Sequence, residues 1–146
     1  MTTKSDFSEE EWKLVLEAPT GAGMMVVTAA RGGSFRETFA MTKSYTEARK
    51  QHGQSQLLDE IVSAKPGRDR TRYRSAEELK QGALGHIRDA VALLQSKATP
   101  EELEDYSQFI LNLAHNVAEA HEEGGERTSA GEQAAIDEIA GALGRA

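Results

Sequence analysis

The sequence predicts an all-α fold, a compact bundle of about seven helices. Three observations carry this. No stretch alternates apolar and polar residues for long, as a half-buried strand would. Two long segments, 76–97 and 100–123, instead place apolar residues at helical spacing. Five helix starts are written in one grammar, a Ser or Thr followed three residues later by Glu. In that capping box the hydroxyl accepts from the third amide of the helix, and the carboxylate accepts from the amide of the cap.

Taken in order, the first helix is expected over 9–18. Ser8 and Glu11 form its box, and Phe7 and Trp12 stand at the two positions of a hydrophobic staple. Pro19 separates it from a second helix over 20–31, TGAGMMVVTAAR, which is nearly apolar all round and so belongs at the centre of the core. Ser34 and Glu37 open a third over 35–52, and a fourth follows over 55–64. Ser75 and Glu78 open 76–97, whose stripe is Leu79, Ala83, Ile87, Ala90 and Leu94. Thr99 and Glu102 open 100–123, with Pro100 at the first helical position, where a missing amide costs nothing. Its stripe is Leu103, Tyr106, Ile110, Leu113, Val117 and His121. Ser129 and Glu132 open the last, over 130–143. Gly32-Gly33, Gly53, Gly124-Gly125 and Gly144 follow these segments as helix-ending glycines do.

The chain has 146 residues, with one Trp, three Tyr and four Phe. Leu, Ile, Val, Met and Ala must therefore form the core, which suits packed helices. One domain spanning 1–146 is expected. Residues 24–37 and 116–132 share a pattern of small-residue helix, Gly-Gly, capping Ser and Glu. Two readings stand, a pair of pseudo-repeated helix–loop–helix halves or ordinary helix punctuation.

The absence of Cys removes disulfides, thiolate zinc sites and Cys nucleophiles. The opening MTTKSDFSEEEW holds no apolar signal core, and no apolar run reaches the ~18 residues of a membrane span, so a cytoplasmic protein without a membrane partner is expected. The net charge of −7 divides into −2 over 1–64, +4 over 65–74 and −9 over 75–146. A surface that acidic repels polyanions and argues against nucleic acid.

The exception is KPGRDRTRYRS, 65–75, where Lys65, Arg68, Arg70, Arg72 and Arg74 face only Asp69. These cations and Tyr73 are suited to phosphate or a nucleic-acid strand. Pro66-Gly67 and the Ser75 cap, however, place the stretch between helices, and a flexible basic connector is the favoured reading. Its charge would then meet the acidic 100–132 region, a neighbouring subunit or an acidic protein partner.

Other candidate sites are fewer. PTGAG, 19–23, suggests an anion site at a helix start, but lacks the Lys-Ser/Thr ending of a phosphate loop, and close helix packing is the favoured role of its glycines. His52 falls at a helix end, His86 borders an apolar stripe, and His121 lies on one. His115 lies on a polar face with Glu119 and Glu122, at i, i+4 and i+7, a spacing that aligns possible metal ligands. The loop 122–132 gathers Glu122, Glu123, Glu126 and Glu132, oxygen donors suited to Ca²⁺ or Mg²⁺, without the pattern of an EF-hand. A Gly stop, a polar turn and a capping box account for the same residues. Neither G-x-S-x-G nor H-E-x-x-H occurs, so no catalytic residue is assigned and no enzyme is expected.

The segment VAEAHEEGGERTSAGEQAAIDEIAGALG, 117–144, resembles the closing segment of TerB-like proteins, the tellurite-resistance group. Glu123-Gly124 stands for that family's Asp-Gly turn and Glu132 for its helix-opening Glu, while Ile136, Ile139 and Leu143 stand for its apolar face. VVTAARGGSFRE, 26–37, stands for a first copy, with Arg31-Gly32 in place of Asp-Gly. The resemblance implies an all-helical fold with internal two-fold similarity, an association with metal or oxyanion stress, and metal binding by acidic residues near the turns. Glu123 and Glu132, with Glu37 or His115, are the residues it selects.

Three functions are thus expected in order. The first is a non-enzymatic interaction or stress-associated module, with a protein partner or a second copy of itself and no cofactor. The second is a TerB-like binder of a divalent metal such as Ca²⁺ or Mg²⁺. The third is phosphate or nucleic-acid binding through 65–74.

Overall fold

The computed structural model of the chain describes residues 4–29, 43–48, 56–64, 75–123 and 130–144. Within them the fold is all-α. A short 3₁₀ turn, Lys4–Asp6, precedes α1 (Glu9–Ala29); a helical segment over 43–48 is α2; then come α3 (Gln56–Ser63), α4 (Ala76–Lys97), α5 (Pro100–Glu123) and α6 (Ala130–Ala142). No strand occurs among the described residues. None of their helices is long and apolar enough to cross a membrane.

The described part of the molecule has α1 at its centre, packed against α4, α5 and α6. The predicted stripes do the packing. On α4, Ala83, Ile87, Ala90 and Leu94 are buried, and Leu84 and Val91 widen the buried arc. On α5, Tyr106, Ile110, Leu113 and Val117 have no exposed surface. Leu79 and Leu103 are half-buried at the helix starts. Each fully buried Leu or Ile contributes roughly 1.5–3 kcal/mol by leaving water. A Cβ added at Gly21 would lie 3.3 Å from Cβ of Ala83, so glycine lets α1 and α4 approach closely there.

The largest departure from expectation is α1. The predicted helices 9–18 and 20–31 are one continuous helix that runs through Pro19. An interior proline removes a helical donor and crowds the preceding turn, at a cost of about 3 kcal/mol. Here the missing amide would have served the carbonyl of Val15, four residues back. The Tyr106 hydroxyl donates to that carbonyl instead, at 2.7 Å. Burial, and to a lesser degree Tyr45, pushes the Tyr106 pKa well above that of a free phenol, so the group stays a donor. Ala18, Pro19, Ala22, Met25 and Val26 are all buried, and this packing adds to what holds the helix together. Met24 is 39 % exposed, so the segment is not buried all round. Because 19–23 lies inside α1, it is no helix start, and the anion-site reading of PTGAG falls.

Among the described residues the starts of α1, α4 and α5 are as written. Ser8 Oγ accepts from the Glu11 amide at 3.1 Å, and Glu11 Oε1 accepts from the Ser8 amide at 2.8 Å. Thr99 and Glu102 make the same reciprocal pair at 3.1 and 2.9 Å. Ser75 Oγ accepts from the Glu78 amide at 3.1 Å. The staple is present as well, with the Phe7 and Trp12 rings 5.7 Å apart. Gly144 ends the last helix with φ of 80°, and its amide donates to Gly141 O at 3.0 Å. The Ser34–Glu37 box, the Gly32-Gly33, Gly53 and Gly124-Gly125 stops, Ser129, and the turns of the suggested repeat lie outside the described residues.

Two lysines tie helix ends together. Lys97, in the last turn of α4, reaches Asp6 O and Glu11 Oε1, each at 2.9 Å, and lies 5.6 Å from the Phe7 ring centre. Lys80, near the start of α4, pairs with Glu138 of α6 at 3.1 Å and with Glu77 at 3.5 Å.

Candidate functional site

A groove of about 270 Å³ lies where α2 and α3 meet α5. From α2 come Ser44, Glu47 and Ala48; from α3, Leu58 and Asp59; from α5, Asp105, Gln108, Phe109, Asn112, Leu113 and Asn116. The groove follows from the helical repeat of α5. Asp105, Gln108, Asn112 and Asn116 fall at i, i+3, i+7 and i+11, one polar stripe beside the apolar one. At 1.5 Å rise per residue the stripe runs roughly 16 Å.

Phe109 and Leu113 are buried beneath this stripe. The Tyr45 ring stands edge-on to Phe109, with centres 5.1 Å apart and planes at 82°. The Tyr45 hydroxyl lies 3.4 Å from Thr20 Oγ1, at the edge of hydrogen-bond range, and so brings α2 toward α1. The Asn116 amide donates to Ser44 Oγ at 2.9 Å and joins α2 to α5. Gln108 donates to Asn112 Oδ1 at 3.0 Å. Each bond uses one amide N–H, so Gln108 and Asn116 each keep a carbonyl oxygen and a second N–H, and Asn112 keeps both of its N–H groups.

Three carboxylates complete the lining. Glu47 is 52 % exposed and has Lys43 one turn away, at 3.9 Å. Asp59 is half-buried on α3. Asp105 is half-buried too, and its pKa is raised, first by burial and then by the charges of Glu104, Glu101 and Glu102. No cation pairs with Asp105 among the described residues. The described lining therefore brings three carboxylates and three amides together above a partly aromatic floor. Such a surface suits a ligand that brings positive charge and N–H donors.

The sequence-predicted sites are placed as follows. His115 is on α5 and exposed, on the face next to the groove rather than in it. Glu123 falls at the end of α5 and Glu132 within α6, but their side chains, like those of Glu119, Glu122 and His121, lie outside the described part. Glu37, His52 and Glu126 lie outside it altogether, as do Lys65, Arg68, Arg70, Arg72 and Arg74. His86 is half-buried beside its stripe, as expected. Among the described residues no three His, Asp or Glu side chains gather closely enough to hold a metal ion.

The groove itself escaped the sequence reading, although a signal existed. Solvated helix faces are commonly Glu and Lys, whereas this stripe of α5 carries three amides. Amides are less soluble than charges and commit to specific hydrogen bonds, so their alignment marks a face with neighbours. No known family model matches the chain, and neither does any curated protein or solved structure.

Proposed function

We propose that the protein is a non-enzymatic cytoplasmic interaction module whose contact surface is the groove between α2, α3 and α5. The observation that supports this most is the spread of its polar groups. Asp105, Gln108, Asn112 and Asn116 are laid out in a line instead of converging on one reacting atom. A linear array of amides and a carboxylate over apolar side chains, able to accept and to donate, suits the backbone and side chains of an extended segment of a protein partner. A stress-associated role, suggested by the TerB-like resemblance, belongs to the same proposal.

The test compares affinity capture by the wild-type protein and by the combined variant Asp105→Asn, Gln108→Ala, Asn112→Ala. A partner retained by the first and lost by the second, with unchanged melting of the variant, supports the reading. Equal capture by both overturns it.

The TerB-like metal site at Glu123 and Glu132, with Glu37 or His115, is the second proposal, and rests on the sequence resemblance. A thermal melt in chelator and then with Ca²⁺, Mg²⁺, Mn²⁺ or Zn²⁺ tests it, since a ligand of the folded state adds about 2.7 kcal/mol at a hundredfold excess over its Kd. A saturable rise lost in Glu123→Gln with Glu132→Gln supports it, and no rise with any ion overturns it. Nucleic-acid binding through 65–74 ranks third, and predicts an affinity that falls steeply with salt.

A further inference from the structure

We infer that the groove recognises an arginine side chain presented by an extended peptide of a protein partner. The inference rests on the groove being the contact surface and adds the chemistry of what enters it.

Four features converge on a guanidinium. The groove's volume of about 270 Å³ is a small space, on the scale of a side chain rather than of a folded element. Its floor includes Phe109, held edge-on by Tyr45, and a guanidinium is weakly hydrated and packs on aromatic rings more readily than an ammonium. Its carboxylates are acceptors, and its amides both accept and donate. The Gln108 amide, one turn from Asp105, spends an N–H on Asn112 and keeps a carbonyl oxygen, which suits the N–H donors of arginine. Finally, Asp105 carries a charge that its surroundings oppose. It is half-buried, has three glutamates as its electrostatic neighbours and pairs with no cation among the described residues. An arriving cation would relieve that repulsion, and a planar one is able to meet the carboxylate with two parallel bonds.

Glu47 has a nearby cation already, the exposed Lys43 at 3.9 Å, so it contributes mainly at the rim. Asp105 is the residue on which recognition turns. A ligand of the same length without charge should lose most of its affinity, and a neutral residue at 105 should do the same without harming the fold.

The experiment is an NMR titration of the full chain with acetyl-Gly-Ser-Arg-Gly-Ser-amide. Its twin carries citrulline, which keeps the shape of arginine and removes the charge. The expected result is saturable shifts at backbone amides of 44–48, 58–59 and 105–116, with citrulline weaker by about tenfold. In Asp105→Asn the arginine peptide should weaken by a similar factor while the spectrum stays that of the folded protein. Equal affinities for the two peptides overturn the inference. So do shifts that map away from the groove, the absence of shifts at millimolar peptide, or an Asp105→Asn variant that binds as well as wild type. If partner capture still depends on the groove while arginine and citrulline bind alike, the contact surface stands and only the arginine assignment fails. If capture is also independent of the groove, both fail.

Discussion

Where α4 ends and α1 begins, the polar groups are matched to partners. Ser8 and Glu11 cap each other, Lys97 bonds to both Glu11 and the Asp6 carbonyl, and the Phe7 ring lies beside its ammonium. Where α2 and α3 meet α5, the polar groups are matched in part. One N–H each of Gln108 and Asn116 is engaged, while the rest of their amide groups, the Asn112 N–H groups and the Asp105 carboxylate have no partner among the described residues at the groove. The first region follows rules that lower the free energy of the folded chain. The second departs from them, and its unpartnered polar groups beside a repelled carboxylate agree with the interaction surface proposed above.

The sharpest contrast is between two residues one turn-half apart on α5. Ile110, fully buried, faces the core, and Ile110→Ala should destabilise by about 2–5 kcal/mol. Asn112 is exposed at the groove, and Asn112→Ala should change stability by no more than about 0.5 kcal/mol. Urea unfolding followed by circular dichroism measures both, and similar losses at the two positions would erase the distinction.

The next effect concerns the junction of α1 and α5. Tyr106→Phe strips the Val15 carbonyl of its donor and should cost about 1–3 kcal/mol. Pro19→Ala restores a helical amide to the same carbonyl. The cost of Tyr106→Phe should therefore be smaller in the Pro19→Ala background, with a coupling of about 0.5–3 kcal/mol in the double-mutant cycle. Additive costs would show that the hydroxyl is not replacing the missing amide.

Caps come third. Thr99→Ala should cost about 1 kcal/mol, because it frees the Glu102 amide at the start of α5. The Glu11 cap should also show in the pH dependence. The Ser8 amide, and after it Lys97, holds the Glu11 carboxyl below its ordinary 4.5. A folded-state value below the unfolded one means that its contribution is present above that ordinary value and is lost as pH falls through the lower folded one. Glu11→Gln should therefore flatten the acid limb of the stability curve, as read from melts across pH.

The smallest effect has the opposite sign and belongs to the groove. Asp105 titrates above its ordinary 3.8 because it is half-buried among glutamates. Its contribution to stability is present below that value and is lost as pH rises through the raised folded value. At neutral pH the charge opposes folding, so Asp105→Asn should raise the Tm, by no more than about 2 °C, and the gain should vanish in acid. A lowered Tm at pH 7 would mean that Asp105 is a structural residue and that the two regions do not differ in kind.

The local features were legible from residue order alone because their causes span four or five residues. A Ser hydroxyl and a Glu three positions on meet through the geometry of one helical turn, whatever the rest of the chain does. Ser8 with Glu11, Thr99 with Glu102, the Phe7–Trp12 staple, Pro100 at the opening of α5, and the stripes of α4 and α5 are of this kind. Pro19 shows the limit of such reasoning. Read locally it ends a helix, and only the hydroxyl of Tyr106, 91 residues away from the Val15 carbonyl, together with a buried setting, lets α1 continue. The groove lies further still from local rules. Asp105, Gln108, Asn112 and Asn116 are only a polar stripe of α5 until α2 and α3 are laid beside them, because a cavity exists only between elements. Sequence alone thus determined where α1, α4 and α5 start and which stripes α4 and α5 bury, since these depend on short-range geometry and solvent transfer. The tertiary structure alone decided that α1 is one helix and that a row of amides lines a groove, since both depend on contacts between residues distant in the chain.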